Sequence, residues 1–130
     1  MSQATRNDAE RIAKASLVVE AALERKAEDV IALDVRAVTS FADTFVLATG
    51  RSDRQVRAIA EAILEAIEAH GERALGIEGK QEGRWVLLDL GDVIAHVFQP
   101  EVRTYYDLDR LWSDAPTLDL ASAGRRRAEP

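Results

Sequence analysis

The sequence predicts a mixed α/β (α+β) fold, with about five strands in one sheet and helices packed on it. Two long segments, 8–26 and 49–71, repeat apolar residues at spacings of three and four, which is typical of amphipathic helices. Short apolar runs rich in Val, Ile and Leu lie between and after them and indicate strands. Residues 83–98 predict two strands folded back at Gly91-Asp92. Such a pair is antiparallel, so the sheet is not purely parallel.

The length of 130 residues corresponds to one domain, which we expect at residues 1–116, followed by a disordered tail at 117–130. The chain has no cysteine, which excludes disulfides and thiolate metal sites and fits a reducing compartment. Its start lacks the basic residues and apolar run of a secretory signal, and no stretch approaches the length of a membrane span. We therefore expect a cytoplasmic protein that does not cross a membrane.

The net charge of −6, from 17 basic and 23 acidic residues, argues against binding along a nucleic-acid backbone. Such binding requires a clustered basic surface that releases counterions. The basic run from Arg125 to Arg127 lies in the tail that we expect to be disordered. We therefore expect no direct nucleic-acid binding, and an acidic fold suits a basic protein partner better.

The first helix is predicted at 8–26, with Asn7 or Asp8 as its cap. Its buried stripe is expected to consist of Ile12, Ala15, Val19 and Leu23. A strand follows at 29–36, and AVTSFAD then connects it to a second strand at 44–49. The second strand is apolar enough to be buried on both faces.

The second helix carries the clearest end signals in the chain. Ser52 and Gln55 match a capping box, in which side chains satisfy free backbone donors at the helix start. Gly71 stands where a left-handed residue commonly ends a helix. The apolar stripe of this helix consists of Val56, Ile59, Ile63 and Ile67, with Ala60 beside it.

The rest of the chain is predicted to alternate between short strands and short helices. A strand at 74–79 and a polar loop lead into the hairpin. Pro100 stops the sheet, because proline has no backbone donor for a strand ladder. Residues 101–112 predict one or two short helices, and the chain beyond Pro116 is expected to fray.

The two-residue turn at Gly91-Asp92 fixes the register of the hairpin and therefore its two faces. One face is predicted to be core, since it carries Val86, Leu88, Leu90, Val93, Ala95 and Val97. The other face mixes aromatic residues with an acid and an imidazole: Trp85, Leu87, Asp89, Ile94, His96 and Phe98. Five of the seven aromatic residues lie in 85–112, so this second face is either core beneath a helix or an exposed docking surface.

Candidate catalytic and ligand sites are few. The helix start at Gly50 and Ser52 could hold a phosphate, but it lacks the lysine of a P-loop, and a simple helix cap explains it. His70 ends a helix. His96 near Asp89 lacks a partnered nucleophile and a metal-ligand spacing. We expect no catalysis, cofactor or metal. The alternative is a degenerate nucleotidyltransferase-like protein that binds nucleotides through Gly50, Ser52 and Asp89.

Four segments together resemble one known family. They are LDVR (33–36), SFADTFVLATGRSDRQVRAIA (40–60), EGKQEGRWVLLDLGDVIAHVF (78–98) and YYDLDRLWSDAP (105–116). Their order and spacing are similar to those of the ribosomal silencing factor family, also called RsfS or Iojap-like. The likeness covers roughly residues 12–116 and includes neither the first ten residues nor the tail.

The resemblance implies a nucleotidyltransferase-like topology that lacks the catalytic carboxylates, and a non-enzymatic protein that forms homodimers. It also implies binding to the large ribosomal subunit through its ribosomal protein L-fourteen. Such binding blocks joining of the small subunit and represses translation under nutrient limitation. Carried over to this chain, the family's contact surface comprises Trp85, Leu87, Asp89, Asp92 and His96, together with Tyr105 and Tyr106.

Overall fold

The computed structural model describes residues 2–118 and 120. Along this part the elements are α1 (Ser2–Glu24), β1 (Glu28–Asp34), β2 (Thr44–Thr49), α2 (Asp53–Ala69), β3 (Gly76–Glu78), β4 (Trp85–Asp89), β5 (Val93–Phe98), α3 (Pro100–Tyr105) and α4 (Leu108–Leu111). The strands form one sheet in the order β1-β2-β5-β4-β3. The pair of β2 and β5 is parallel, and the other three pairs are antiparallel. The predicted fold class, a mixed five-stranded sheet with helices packed on it, is confirmed.

The helix α2 begins and ends where the sequence predicts. Ser52 Oγ accepts a hydrogen bond from the Gln55 amide at 3.1 Å, and the Gln55 side chain reaches back to the Arg51 amide at 2.8 Å. At the other end Gly71 has a φ of +93° and its amide donates to the Glu68 carbonyl at 2.9 Å. Glu72 closes the turn with a bond to the Ile67 carbonyl, which completes a Schellman motif.

One face of the sheet is covered by α1 and α2. The predicted stripe of α2 is buried there against the predicted core face of the hairpin. The two sets of side chains belong to one cluster: Val56, Ile59, Ile63 and Ile67 from α2, and Val86, Leu88, Leu90, Val93, Ala95 and Val97 from the hairpin. Burial of these aliphatic side chains is the main apolar contribution on this side of the sheet. The hairpin's first face is therefore core, as its alternating pattern predicts.

The predicted stripe of α1 is confirmed in part, because Ala15 is buried and Ile12 and Val19 pack half-buried against the core, but Leu23 does not. Leu23 is 52% exposed, whereas Arg11 and Lys14 lie in the buried stripe with Ala15, Val18, Ala21 and Ala22. Small alanines let α1 and α2 approach closely, so the helix turns its alanines inward and leaves larger aliphatic residues at the edge. The helix also begins at Ser2, six residues before the predicted start.

The opposite face of the sheet carries a second core under α3 and α4. Val102 and Leu108 from these helices pack on β1, β2 and β5 in a cluster with Leu33, Val35, Ala42, Phe45, Leu47, Phe98 and Ala115. The sequence predicts one or two short helices at 101–112; the structure has two, and they lie on the β1-β2-β5 half of the sheet. The hairpin's second face is thus partly core and partly free.

Order continues past Pro116, where the sequence led us to expect fraying. The Pro116 carbonyl accepts from the Asp34 amide at 2.8 Å, and the Leu118 amide donates to the Ala32 carbonyl at 2.8 Å. Leu120 is only 9% exposed and belongs to the core under α1 and α2. As an edge strand, β1 has backbone groups without a partner strand, and this segment forms hydrogen bonds with them. Such long-range pairing cannot be predicted from local composition. The Arg125–Arg127 run lies outside the described residues.

Among the described residues, no helix is both long enough and apolar enough to span a membrane.

Lys14 ties α1 to the hairpin and to the end of α2. Lys14 is only 7% exposed. Its ammonium donates hydrogen bonds to the Leu90 carbonyl, to Glu72 at 2.7 Å and to Asp92 at 2.9 Å. Burial by itself lowers the pKa of Lys14, but the hydrogen bonds and charges of Glu72 and Asp92 outweigh it and raise the pKa above its usual 10.5. The ammonium is therefore charged in the folded protein at neutral pH and holds the β4–β5 turn.

Replacing Lys14 with methionine is expected to destabilise the fold by about 2 kcal/mol, because the Leu90 carbonyl loses its side-chain partner and two carboxylates lose a charged donor. Urea unfolding of the wild type and Lys14→Met measures this loss as a lower midpoint at unchanged slope. Lys80→Met is the control, since Lys80 pairs with Glu61 at the surface and its loss should cost about 0.5 kcal/mol or less. Equal losses of stability in the two variants would show that the buried contacts of Lys14 contribute no more than a surface ion pair.

Candidate functional site

The hairpin register is the one that the sequence predicts. Trp85 pairs with Phe98, Leu87 with His96 and Asp89 with Ile94. The Leu90 amide donates to the Val93 carbonyl at 2.9 Å, so the loop consists of two residues. Gly91 adopts a φ of +97°, and its amide donates to Asp89 Oδ1 at 3.0 Å. Glycine is suited to this left-handed position, and the Asp89 side chain braces the turn.

The candidate site is the free part of the second hairpin face, which we call the hairpin face and define as Trp85, Leu87, Asp89 and Ile94. All four residues are half-buried. β3 adds Glu78 opposite Leu87 and Gly76 opposite Asp89, and paired residues point to the same side of a sheet. Because Gly76 has no side chain, Asp89 is left open on the β3 side. The result is an apolar strip with two acids along it.

Two tyrosines extend the hairpin face past Trp85. The Tyr106 ring lies 5.6 Å from the Trp85 ring, centroid to centroid, and Tyr105 lies 4.9 Å from Tyr106 in a T-shaped arrangement. Tyr105 is 81% exposed and Tyr106 is 57% exposed. Aromatic rings exposed side by side in this way can cover a large contact area with few rotatable bonds. Of the two tyrosines that the resemblance includes, Tyr106 therefore lies beside the tryptophan and Tyr105 lies beside Tyr106.

His96 lies beneath the hairpin face. It is only 5% exposed, and the rings of Phe45 and Trp112 pack against it at centroid distances of 4.9 and 5.2 Å. Its Nδ1 accepts a hydrogen bond from Trp85 Nε1–H at 3.3 Å. Burial lowers the pKa of His96 to about 4, so the imidazole is neutral at pH 7. The resemblance places His96 among the contact residues, but in this fold it supports Trp85 from below.

Asp92 lies in the turn between β4 and β5, exposed but outside the hairpin face. Its carboxylate is bound to Lys14 on the α1 side of the hairpin, and its carbonyl accepts from the amides of Asp43 and Thr44 at 2.8 and 3.1 Å. Trp85, Leu87 and Asp89 thus lie on one surface, whereas the Asp92 carboxylate is bound to Lys14 beside the turn. A local sequence pattern cannot show this, because Lys14 is 78 positions away from Asp92.

The nucleotide-binding alternative is not supported by the positions of its residues. Gly50 follows the end of β2 that lies beside Phe98, whereas Asp89 lies beside Ile94 near the start of β5. Ile94 and Phe98 are four residue steps apart along β5, which is about 13 Å. Ser52 is occupied by its cap on α2. Among the residues whose positions are described, no group of three or more His, Cys, Asp or Glu side chains could hold a metal ion.

Sequence reasoning missed the residues that build the floor of the site. Phe45 and Trp112 enclose His96, and the Arg103 guanidinium lies 5.3 Å from the centre of the Phe98 ring while its Nη1 donates to Thr49 Oγ1 at 2.8 Å. The one available signal was the apolar side of residues 101–112, which carries Val102, Tyr105, Leu108 and Leu111 and predicts that these short helices pack on the sheet.

The buried imidazole predicts a pH-dependent stability. Its pKa of about 4 lies below the ordinary 6.5, so between these values the unfolded chain binds a proton that the folded chain excludes. Stability should therefore fall as the pH drops from 6.5 to 4, by about 3 kcal/mol from this group. Urea unfolding at several pH values measures the fall. His96→Leu should remove this component, whereas the exposed-site control His70→Gln should retain it; an unchanged profile in His96→Leu would contradict the assignment.

Comparison with known proteins relates this chain to a family by sequence and by fold. The family model described as "Ribosomal silencing factor during starvation" matches residues 8–130, extending past the segments that carry the resemblance. A ribosomal silencing factor RsfS from Bacillus subtilis is 46% identical over 97 residues, which cover 75% of this chain and 82% of the relative. The chloroplastic protein Iojap of Zea mays is 32% identical over 114 residues, covering 88% of this chain and 50% of that protein.

A solved structure agrees with these sequence relatives. The crystal structure of a Chromobacterium violaceum protein superposes with a TM-score of 0.74 at 41% sequence identity, covering 80% of this chain and 85% of that one. The likeness in sequence is therefore accompanied by a likeness in fold. From the match over residues 8–130 and these identities, we conclude that the chain belongs to the ribosomal silencing factor (RsfS) family.

Proposed function

We propose that this protein binds the large ribosomal subunit through ribosomal protein L-fourteen and that its bulk then excludes the small subunit. The result is repression of translation under nutrient limitation, carried out in the cytoplasm where ribosomes work. Membership of the ribosomal silencing factor family supports the ribosome as the target. The observation that supports this docking surface is the hairpin face, in which a half-buried tryptophan and leucine lie beside an acid on paired strands.

The composition of the hairpin face suits a protein partner. Interfaces concentrate their binding energy in aromatic anchors that are surrounded by polar groups. Trp85 and Leu87 supply the apolar centre, and Tyr105 and Tyr106 enlarge it on one side. Because Trp85 is packed against Phe98 at 6.1 Å on a paired strand, little side-chain freedom remains to be lost on binding.

Charge supports a basic partner surface. The chain carries a net charge of −6, and the hairpin face has Asp89 within it and Glu78 at its edge. A basic surface would be steered toward these acids, and the same charges would disfavour acidic competitors. Phosphate backbones are disfavoured for the same reason, so we propose contact with ribosomal protein and no direct contact with ribosomal RNA.

The proposed mechanism needs no chemical step. A docked body of 14.3 kDa has only to occupy volume that the small subunit would use. Occupancy follows mass action: at a free concentration a hundredfold above Kd, the bound state is favoured by about 2.7 kcal/mol. No catalytic residue, cofactor or metal enters the proposal. The homodimer that the family resemblance implies is also part of the proposal.

Truncating the anchor tests the docking surface. Trp85→Ala is expected to weaken co-sedimentation with purified large subunits by about 30-fold, because aromatic anchors commonly contribute about 2 kcal/mol or more. Leu23→Ala is the control, since Leu23 is an exposed apolar residue on α1, on the opposite side of the sheet. Direct binding to isolated ribosomal protein L-fourteen should follow the same order. Unchanged binding in Trp85→Ala would show that the docking surface lies elsewhere.

Removing one charge tests the electrostatic part of the proposal. Asp89→Asn keeps an oxygen that can accept from the Gly91 amide and so preserves the turn. We expect slower association with large subunits and a weaker dependence on salt, because rim charges act mainly on the association rate. Glu68→Gln on the exposed side of α2 is the matched control. Equal kinetics in the two variants would remove Asp89 from the contact. Light scattering on each variant separates this loss from a change in homodimer formation.

A further inference from the structure

His96 is a polar residue in a buried, largely apolar position of the sheet. Across the strands it is flanked by Leu47 and Leu87, and it is almost completely buried. Its Nε2 finds no hydrogen-bond partner among the described residues. A buried polar group without a partner lowers stability, so structural packing alone does not explain an imidazole here.

The other ring nitrogen explains the imidazole. Trp85 Nε1–H donates to His96 Nδ1 at 3.3 Å, which requires Nδ1 to be unprotonated. In the neutral ring the proton then resides on Nε2, the nitrogen without a partner. The two residues are diagonal neighbours on adjacent strands, since Trp85 pairs with Phe98 and His96 pairs with Leu87. The hydrogen bond therefore spans two strands and reports directly on the orientation of the indole.

This bond decides which part of Trp85 faces outward. With its N–H turned inward onto His96, the indole offers a partner only its apolar ring. Phe98 at 6.1 Å and Tyr106 at 5.6 Å bound the ring on its other sides. Packing alone would tolerate an indole flipped about its long axis, because the flipped ring fills a similar volume. An acceptor placed below the ring distinguishes the two orientations.

We propose that His96 is a positioning residue for docking: its Nδ1 holds Trp85 in one orientation, with the N–H satisfied inside the protein and the apolar ring presented to the partner. The inference rests on the proposed function. It adds that the partner places an apolar surface over Trp85 and needs no acceptor for the indole N–H. Pre-orienting the indole removes an ordering cost from the binding step.

The test compares His96→Leu with His96→Gln. Leucine removes the acceptor, and glutamine restores an oxygen that can accept from the indole. In ¹H–¹⁵N spectra the indole N–H signal of Trp85, assigned with Trp85→Phe, should move upfield in His96→Leu and return toward the wild-type position in His96→Gln. Binding to large subunits should weaken about threefold to tenfold in His96→Leu and recover in His96→Gln. At pH 7 the stability of His96→Leu should equal or exceed that of the wild type.

The outcomes separate this inference from the proposed function. If His96→Leu lost stability and binding in parallel while the Trp85 indole signal stayed in place, His96 would be an ordinary core residue and the inference would fail. If Trp85→Ala weakened binding but His96→Leu did not, the docking surface would stand and the positioning role would fall. If neither variant changed binding, the proposed docking surface itself would be wrong, while the indole signal would still report whether His96 orients the ring.

Discussion

The pairing of β5 with a strand on each side is the constraint on which the rest of the structure depends. β5 joins β2 in parallel and β4 in antiparallel register, so it connects the two halves of the sheet. Its alternate residues supply both cores: Val97 lies under α1 and α2, and Phe98 lies under α3 and α4. A slip of one residue would exchange the two faces, so that Val93, Ala95 and Val97 would meet α3 and α4 while His96 and Phe98 would meet α1 and α2. Gly91 and the Asp89 side chain hold the register from within the turn, and Lys14 holds it from α1.

Two buried polar residues contribute to this fold in opposite ways. Lys14 has three partners for its ammonium, and its charge is stabilised by two carboxylates that remain partly in water. His96 has one partner and stays neutral because burial opposes its protonation. The first arrangement strengthens the fold, whereas the second lowers its stability in acid. Retaining a polar group that weakens the core is the pattern expected where a side chain serves recognition, and the residue above His96 is the proposed anchor Trp85.

The position of the last two helices leaves the proposed docking surface uncovered. α3 and α4 pack over β1, β2 and β5, so the same sheet face is core on one side and half-exposed on the other. Trp85 stands at this border, with its inner edge in the aromatic cluster and its outer ring beside Tyr106. An anchor at such a border is rigid because its support is core packing. Rigid presentation suits a protein that we propose acts by occupying space and carries out no chemical step.

The sequence by itself determined the parts of this protein that depend on neighbouring residues. Alternation along 83–98, the short turn at Gly91, and the end signals of the second helix predicted the hairpin faces and the bounds of α2, and both are confirmed. Tertiary structure alone decided the burial and the partners of side chains that contact residues distant in the sequence. Lys14 forms a hydrogen bond with Asp92, which is 78 positions away. The segment after Pro116 pairs with the edge strand β1, and Trp112 packs against His96. Local periodicity shows that a side chain is apolar or charged, but burial and pairing depend on which distant element arrives beside it, and that is set by the packing of the whole sheet.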